Sequence, residues 1–389
     1  MVLSKRERVI CTLELDDEPD VCPIHFLGFE RSNSAYQTFL KTDEYNKNCT
    51  LIKHDFSPFK YEWAGDITEC RFFNVDLHTM DPFKHKIKVK SAPNPLDRPD
   101  CYIDPLSGRL FKQKPQVETN IMYQWYVDGY FTTPEILHSY WEKYGRPSEL
   151  INDRVNYSPQ IWEKYVKSLE SYLYPMARLA IAMHEALFEG ITIARVVYYM
   201  RKNPQFIHEV MSEYTKVNVE IAKRLCEAGV DIIRYADDLG MKGRSIFSLK
   251  QFREFILPYY KKIYQTCKKG GAFIIQHCCG YIDKLLPDMV EAGLNGIQAL
   301  EPAAGVDLAH IKDTLGDKVA LLGGMDSSRI LSFGTPKDVE EDVKKCIKVA
   351  GKGGGYFPGP SHNILNVPWE NVIALRDAML KYRKYPLKF

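Results

Sequence analysis

The stretch "GGAFIIQHCCGYIDKLL", residues 270–286, decides how the fold is interpreted. Four apolar residues at 272–275 run into His277, Cys278 and Cys279, and an amphipathic segment follows the next glycine. This order predicts a buried strand, a short loop and a helix. Two interpretations follow: a buried strand that happens to end in two cysteines, or a strand that delivers His277 and Cys279 to a metal ion.

Similar units surround this stretch. From about residue 190 onward, short apolar runs alternate with longer helical segments, which is typical of β/α units around a parallel sheet. The apolar run "VCPIHFLGF" at 21–29 adds a strand near the N-terminus. The pattern predicts an α/β fold, an eight-stranded (β/α)8 TIM barrel. A doubly wound open sheet is the alternative, but no GxGxxG follows a predicted strand. The later predicted strands are "ITIARVV" (191–197), "VDIIRYADD" (230–238), "AFIIQHC" (272–278), "GIQALEP" (296–302), "VALLGGMD" (319–326) and "GGYFPGPSH" (354–362).

Residues 55–160 do not follow this β/α rhythm. The sequence "DPLSGRLFK" at 104–112 predicts a hairpin around Ser107-Gly108. We interpret 55–160 as an irregular, aromatic-rich insertion that caps one end of the barrel, within a single domain of residues 1–389. Aromatic runs such as "IMYQWYVDGYF" at 121–131 fit either core packing or a pocket for a flat aromatic ligand.

The composition is that of a soluble globular enzyme, with 389 residues, 45% hydrophobic and 26% charged residues, and a net charge of +2. No lysine–arginine run forms a stripe for nucleic acid. No apolar run is long enough to cross a bilayer, and the N-terminus lacks the apolar core of a signal peptide. We therefore expect a cytoplasmic protein without nucleic-acid or membrane partners. Its ten cysteines are too sparse for a disulfide-stapled scaffold, so most are expected to be buried thiols.

Polar side chains that bind metals or move protons follow consecutive predicted strands. In a TIM barrel, the chemistry lies at the C-terminal ends of the strands. These side chains are therefore expected to face one shared site. They are Asp237 and Asp238, then His277 and Cys279, then Glu301, Asp326 and His362.

Four of these side chains predict a zinc site: His277, Cys279, Glu301 and His362. Imidazole, thiolate and carboxylate groups are ordinary zinc ligands. Side chains alternate along a strand, so His277 and Cys279 point to one side and Cys278 points into the barrel wall. Glu301 and His362 can instead orient a ligand histidine from outside the coordination sphere. The alternative makes His277 a hydrogen-bonded core histidine and Cys279 a buried thiol.

Longer motifs resemble the uroporphyrinogen decarboxylase superfamily over about residues 160–385. They are "YADDLG…SLKQFREFILPYYKKI", "HCCG", "GGMDSSRILSFGTPKDVEEDV" and "GGYFPGPSHNI…VPWENV". The resemblance implies a (β/α)8 barrel and one of two activities: cofactor-free porphyrinogen decarboxylation, or zinc-dependent methyl transfer with a corrinoid protein. A decarboxylase is expected to carry an "RQAGR"-type segment, but the corresponding "HFLGFERSNSAY" has only Arg31. The resemblance therefore favours the methyltransferase branch.

The pattern of His277, Cys279, Glu301 and residue 362 also resembles the His-Cys-Glu-Cys site of cobalamin-independent methionine synthase. The expected last cysteine is here His362. Replacing a thiolate by a neutral histidine removes negative charge and makes zinc a stronger Lewis acid, which suits cleavage of an aryl methyl ether. The resemblance thus implies an O-demethylating methyltransferase. It would pass the methyl group of a methoxylated aromatic to cobalt(I) of a corrinoid (cobalamin) on a partner protein, because this chain has no D-x-H-x-x-G motif.

Three aspartates are predicted as further catalytic-site groups. Asp237 and Asp238 would orient the substrate or support the metal ligands, and Asp326 would do the same or carry a proton. The alternative is that these residues cap strand-to-helix turns.

Other functions stay open at this point. They are methyl transfer from a methylated corrinoid protein to a thiol of the coenzyme M type, use of a methylamine donor, metal-free decarboxylation, and a barrel that only binds a partner. The sequence also leaves open whether an apolar rim of the barrel serves a homodimer or the docking of the corrinoid protein.

Overall fold

The computed structural model describes residues 2–55, 62–83, 101–115, 122–151 and 156–389. Its centre is a seven-stranded sheet in which every neighbouring pair of strands is parallel. From one edge to the other, the strands are Tyr356–Phe357, Ala320–Gly323, Gly296–Ala299, Phe273–Cys278, Ile232–Ala236, Tyr174–Arg178 and Leu77–Thr79.

The N-terminal segment 21–29 lies between the two edge strands of this sheet. His25 forms a parallel bridge with Leu77 on one side. On the other side, its backbone N–H donates to the carbonyl of Pro358 at 3.2 Å, and Phe29 bridges to Ile364. The segment therefore takes the eighth strand position of a TIM-barrel-like α/β fold, which confirms the predicted fold class.

The inside of the barrel is apolar at its N-terminal end. Alternate strand residues point inward and form a small cluster, while the residues between them pack outward against the helices. The N-terminal helix Lys5–Glu14 begins at a Ser4 capping box and adds two side chains to the cluster. This end of the barrel is thereby filled. The cluster comprises Val9, Leu13, Leu77, Tyr174, Met176, Ile232, Ile275, Ala320, Leu322 and Phe357, each at most 3% exposed.

Helices surround the sheet, and local sequence sets their ends. The longest, Pro204–Glu227, begins after Asn203, whose side chain accepts from the N–H of Phe206, and Gly229 follows it at φ +85°. None of the helices in the described parts of the chain is long and apolar enough to span a bilayer. The other helices of eight or more residues are Pro134–Tyr144, Pro159–Leu169, Met183–Ile191, Ile193–Lys202, Leu257–Lys269, Leu308–Leu315, Pro336–Ala350 and Trp369–Tyr382. The shorter ones are Ser34–Phe39, Asp43–Asn48, Thr68–Phe72, Leu249–Gln251, Leu286–Glu291 and Ile330–Phe333.

The predicted strand at 191–197 is wrong. This segment belongs to two helices, Met183–Ile191 and Ile193–Lys202, which meet at Thr192 with φ 78°. In the second helix the buried residues are Val196 and Met200, four positions apart, so the apolar spacing is that of a helix face.

Two barrel strands escaped the sequence analysis, Tyr174–Arg178 and Leu77–Thr79, which pair with each other. Both are short, at five and three residues. A three-residue run carries too little alternation to be distinguished from a loop.

The hairpin predicted at 104–112 is confirmed. Strands Cys101–Ile103 and Arg109–Pro115 pair in antiparallel orientation, and Gly108 has a φ of +77° in the turn. Strand Met122–Gly129 completes this small sheet, and Leu51–Asp55 pairs separately with Glu62–Asp66.

Aromatic residues of the same region have two kinds of surroundings. Phe131 is 1% exposed, whereas Trp125 is 53% exposed. Residues 56–61, 84–100, 116–121 and 152–155 of the predicted insertion lie outside the described residues. Its limits and its role as a cap stay predictions.

Candidate metal centre

Three side chains with metal-binding atoms converge at the C-terminal ends of neighbouring strands. Asp238, His277 and Cys279 each offer one ligand atom, and these atoms lie within 4.8 Å of one another. The Cys279 Sγ is 3.2 Å from the His277 Nε2, and an Asp238 carboxylate oxygen is 3.6 Å from the same nitrogen. Tetrahedral ligands with zinc bonds of about 2.0–2.3 Å stand about 3.3–3.8 Å apart. The two distances from the His277 Nε2 are therefore close to those between neighbouring ligands of a zinc ion.

The local sequence explains why these side chains meet. Cys278 is fully buried, and its Sγ accepts from the backbone N–H of Leu239 at 3.1 Å, which confirms that it points into the barrel wall. The loops that carry Asp238 and Cys279 pack backbone to backbone at two glycines. A Cβ on Gly280, which has φ +80°, would lie 2.3 Å from the backbone of Gly240. Only glycine permits this approach.

Asp238 is held by its neighbours. Its carboxylate accepts from the backbone N–H of Cys279 at 2.8 Å. Its own backbone N–H donates to the Glu185 carboxylate at 2.9 Å. Asp238 was predicted to orient substrate or support the ligands, but the structure places its carboxylate beside the two metal-binding atoms of His277 and Cys279.

His277 presents one free ring nitrogen to this centre. Its Nδ1–H donates to the side-chain oxygen of Gln298, so the Nε2 lone pair faces Cys279 and Asp238. Burial, followed by the positive charge of Arg234, lowers the pKa of His277 to about 4. The imidazole is therefore neutral at physiological pH, which is the form that binds metals.

The pKa of the Cys279 thiol is shifted upward, in the direction opposite to that of His277. Burial raises its pKa, and the negative charges of Asp238 and Glu301 raise it further. A divalent cation at the centre reverses this balance, because it favours the thiolate. Cys279 thus has the surroundings of a cation ligand rather than those of a free nucleophile.

Glu301 and His362 lie near the centre but outside the group of three atoms. Glu301 accepts from the backbone N–H of Gly280 at 3.3 Å, and its charge acts on Cys279. The backbone N–H of His362 donates to the Ser327 hydroxyl at 3.1 Å. Their roles as ligands stay predictions.

The backbone before Glu301 is unusual. Ala299 and Leu300 have φ values of +110° and +52°, a region that residues with a Cβ seldom adopt. Such strain clusters at functional sites, and here it precedes a predicted ligand.

Asp237 lies in a closed hydrogen-bond network. It is fully buried, and it accepts from the hydroxyls of Tyr235 and Tyr260 at 2.7 Å and from the ring Nδ1 and backbone N–H of His184. Burial alone would raise its pKa, but the contact with His184 lowers the pKa of Asp237 below its usual range. These contacts tie the strand end to the start of helix Met183–Ile191, as in the capping alternative.

Asp326 also caps a turn. It is 2% exposed, and its carboxylate accepts from the backbone N–H of Arg329 at 2.9 Å and from the Arg329 side chain at 2.7 Å. Its own N–H donates to Asp342. The catalytic roles assigned to Asp237 and Asp326 stay predictions.

The sequence analysis missed the partner of His277. Gln298 is 1% exposed and is the register partner of His277 on the next strand. The available signal was a single amide in the otherwise apolar strand "GIQAL". An inward-facing amide beside a predicted ligand histidine is typical of an orienting group.

The fold is shared with a solved structure. A methyltransferase from Methanosarcina mazei superposes with a TM-score of 0.57 and 15% identity, over 98% of this chain and 99% of that one. At this identity the likeness shows the fold alone.

Curated proteins of two activities share part of the sequence. A methylcobamide:CoM methyltransferase, MtaA, of Methanosarcina barkeri is 26% identical over 193 residues, which are 49% of this chain and 54% of that protein. A uroporphyrinogen decarboxylase of Chlorobium phaeovibrioides is 27% identical over 173 residues, 43% of this chain and 46% of that protein. This chain spans about half the length of the curated relatives that it matches.

The family profile described as uroporphyrinogen decarboxylase (URO-D) matches residues 184–382. This range is just over half of the 389 residues and contains all three side chains of the candidate centre. The chain therefore belongs to the URO-D family.

Proposed function

We propose that the chain is a methyltransferase that takes the methyl group of a methoxylated aromatic compound and passes it to cobalt(I) of a corrinoid on a separate protein. The observation that carries this proposal is the convergence of Asp238, His277 and Cys279 at the barrel mouth. Methylcobamide:CoM methyltransferases among the relatives support methyl transfer with a corrinoid partner.

The donor set fits zinc. One neutral imidazole nitrogen, one thiolate and one carboxylate would give a neutral complex with Zn²⁺, and a fourth position would be left for Glu301, His362 or the substrate. A bound zinc ion supplies Lewis acidity toward the ether oxygen of an aryl methyl ether, which makes the phenolate a better leaving group.

The protein's own side chains prepare this site. Gln298 fixes the tautomer and ring plane of His277, so the Nε2 lone pair is available for the metal. The Cys279 N–H holds the Asp238 carboxylate, and this contact brings two ligand groups together before any ion arrives. The preformed arrangement reduces the entropy lost when the metal binds.

Two other activities have support in the same family. Uroporphyrinogen decarboxylases are also relatives, and a metal-free decarboxylase predicts no bound zinc and an arginine-lined pocket. The opposite direction of methyl transfer, to a thiol of the coenzyme M type, keeps the zinc site and changes the acceptor. A second thiolate ligand would favour that reaction, but His362 stands at the corresponding position.

Metal content distinguishes the proposed methyltransferase from a metal-free decarboxylase. We expect about one zinc per chain by elemental analysis of the purified protein, and its loss in both His277→Ala and Cys279→Ala. Methyl transfer from 2-methoxyphenol to a reduced corrinoid protein then tests the reaction. Absence of metal in native protein purified without chelators contradicts the methyltransferase proposal.

A further inference from the structure

A layer of polar side chains lines the barrel directly above the apolar inner cluster, on the side of the candidate metal centre. Side chains alternate along a strand, so the residue two positions after an inner one also points inward. On four strands this step leads from the apolar cluster to a polar or charged residue. The four inner residues Leu77, Met176, Ile232 and Ile275 are followed by Thr79, Arg178, Arg234 and His277.

Two arginines of this layer stand side by side. Arg178 and Arg234 are register partners on neighbouring parallel strands, so their side chains leave the sheet on the same face. Within the described residues, neither guanidinium has a hydrogen bond or a salt bridge, and the Nε of Arg234 is buried without a partner. Arg178 is exposed at the end of its strand, whereas Arg234 is half-buried with its Nε enclosed. A buried guanidinium is normally paired, because an unpaired one loses its hydration.

Burial also acts on the charge of Arg234. Burial, followed by repulsion from Arg178, lowers the pKa of Arg234 to about 10. The guanidinium stays charged at neutral pH, and within the described residues no carboxylate forms a salt bridge with it.

Other groups of the layer lack partners as well. The Thr79 hydroxyl and the Gln298 amide nitrogen are buried donors without an acceptor among the described residues. The His25 Nδ1–H donates to the carbonyl of Leu77 at 2.9 Å, so its buried and unpartnered Nε2 is an acceptor. Because buried polar groups in proteins are nearly always hydrogen-bonded, these unpaired groups point to a polar partner on this side of the barrel.

The nearby acids do not neutralise the two arginines. Asp238 and Cys279 attract Arg234 electrostatically, but both belong to the candidate metal centre. Burial raises the pKa of Asp81, the acid beside Arg178, to about 7 despite the arginine's charge. Glu185, the remaining acid near Arg234, accepts from the backbone N–H of Asp238 at 2.9 Å. Within the described residues, neither guanidinium is hydrogen-bonded or ion-paired to any of these acids.

We propose that Arg178 and Arg234 bind an oxyanion group of the substrate, a carboxylate or a sulfonate, beside the Asp238–His277–Cys279 centre. Arginine side chains present planar, paired donors that match the oxygens of such groups. Thr79 and Gln298 can donate to the same oxygens or to a ring substituent, and His25 can accept from a hydroxyl. The proposal names the substrate class of the proposed methyltransferase and in this respect rests on that function, whereas anion binding itself does not depend on methyl transfer.

Calorimetric binding to the full-length protein tests this proposal with four probes: 3-methoxybenzoate, benzoate, methoxybenzene and 2-sulfanylethanesulfonate. The variants are Arg178→Gln and Arg234→Gln, with Arg178→Lys and Arg234→Lys to retain charge. Arg253→Gln is the matched control, because Arg253 pairs with Asp288 on the outside of the barrel and is 57% exposed. Thermal melting monitors folding of each variant.

We expect benzoate and 3-methoxybenzoate to bind at least tenfold more weakly to each glutamine variant, with a smaller loss in the lysine variants. The affinity for methoxybenzene should be the same in all variants. The Arg253→Gln variant should bind every probe as the wild type does. An arginine-dependent loss confined to 2-sulfanylethanesulfonate supports the oxyanion site with a sulfonate as its ligand, and contradicts a methoxylated aromatic acid.

Affinities for all three anions within twofold of wild type, in a folded variant of either arginine, would overturn the proposal. Failure of methyl transfer with every donor, together with arginine-dependent benzoate binding, would instead contradict the proposed function and leave the anion site standing. The two failures are thereby distinguishable.

Discussion

His277 and Gln298 are register partners on adjacent parallel strands, and the His277 Nδ1–H donates to the Gln298 side-chain oxygen. This single contact decides which ring nitrogen faces Asp238 and Cys279. The metal-binding competence of His277 thus depends on a residue that does not itself touch the candidate ion.

Replacing Gln298 with leucine should weaken zinc binding without removing any ligand. Outer partners of ligand histidines typically contribute about 10–100-fold to metal affinity, so we expect Gln298→Leu to lose that much in competition with a chromogenic chelator. Gln298→Glu retains an acceptor for the Nδ1–H and should keep most of the affinity. Equal affinities of the leucine variant and wild type would show that the contact does not orient the metal ligand.

The structure and the sequence analysis favour different third ligands, and substitution can distinguish them. We expect Asp238→Ala to lower zinc affinity by at least about tenfold, because its carboxylate lies beside the His277 and Cys279 ligand atoms. Glu301→Gln and His362→Ala should have smaller effects if these residues lie outside the coordination sphere. The amount of zinc that stays bound after dialysis against a chelator ranks the three variants by zinc affinity. Loss of zinc in the Glu301 and His362 variants but not in Asp238→Ala would restore the ligand set predicted from sequence.

Asp237 should contribute to stability more than to chemistry. Removing one partner of a buried charged pair typically costs about 3–5 kcal/mol, so we expect Asp237→Asn to lower the free energy of unfolding by about 3 kcal/mol in urea titrations. The same change should leave zinc stoichiometry near one per chain. An unchanged unfolding midpoint together with lost activity would favour the catalytic role instead.

The carboxyl group of Glu69 makes the stability of the fold depend on pH. Its carboxylate accepts from the backbone N–H of Phe29 at 3.0 Å, and burial raises its pKa from 4.5 to about 7. A raised carboxyl pKa means that the folded state favours the protonated form. This contribution to stability is fully present below pH 4.5 and is lost as the pH rises through 7.

Glu69→Gln should remove this loss. We expect the variant to be more stable than wild type by about 2 kcal/mol at pH 8 and to be similar at pH 4.5, as measured by urea unfolding at both pH values. Glu142→Gln, at an exposed position of helix Pro134–Tyr144, is the control and should show no such difference. A parallel pH dependence of Glu69→Gln and wild type would contradict the assignment.

The barrel was predictable where each strand carries its own signal. "AFIIQHC" has a continuous apolar run that ends in polar residues, and the structure has the strand Phe273–Cys278 there. Leu77–Thr79 is a strand mainly because its neighbours supply hydrogen-bond partners, so its assignment depends on tertiary structure. The β-branched segment at 191–197 was wrongly predicted as a strand, because its structure also depends on tertiary contacts. It is helical, with Val196 buried against the core.

The site was predictable only in its local part. His277 and Cys279 share a strand end, so alternation alone places both on one side. Asp238 joins them through the contact of Gly240 and Gly280, which brings together loops about forty residues apart in sequence. The arginine pair was equally hidden, because it depends on the register of two neighbouring strands and on the lack of hydrogen bonds to either guanidinium among the described residues.

The N-terminal helix and the apolar cluster close one end of the barrel among the described residues. Val9 and Leu13 fill the end opposite the candidate centre, and among the described residues His277 faces the mouth at the C-terminal ends of the strands. A corrinoid protein docked there would cover the same opening. Under the proposed function we therefore expect an ordered turnover, in which the small substrate enters before the large partner docks and the demethylated product leaves after that partner has departed.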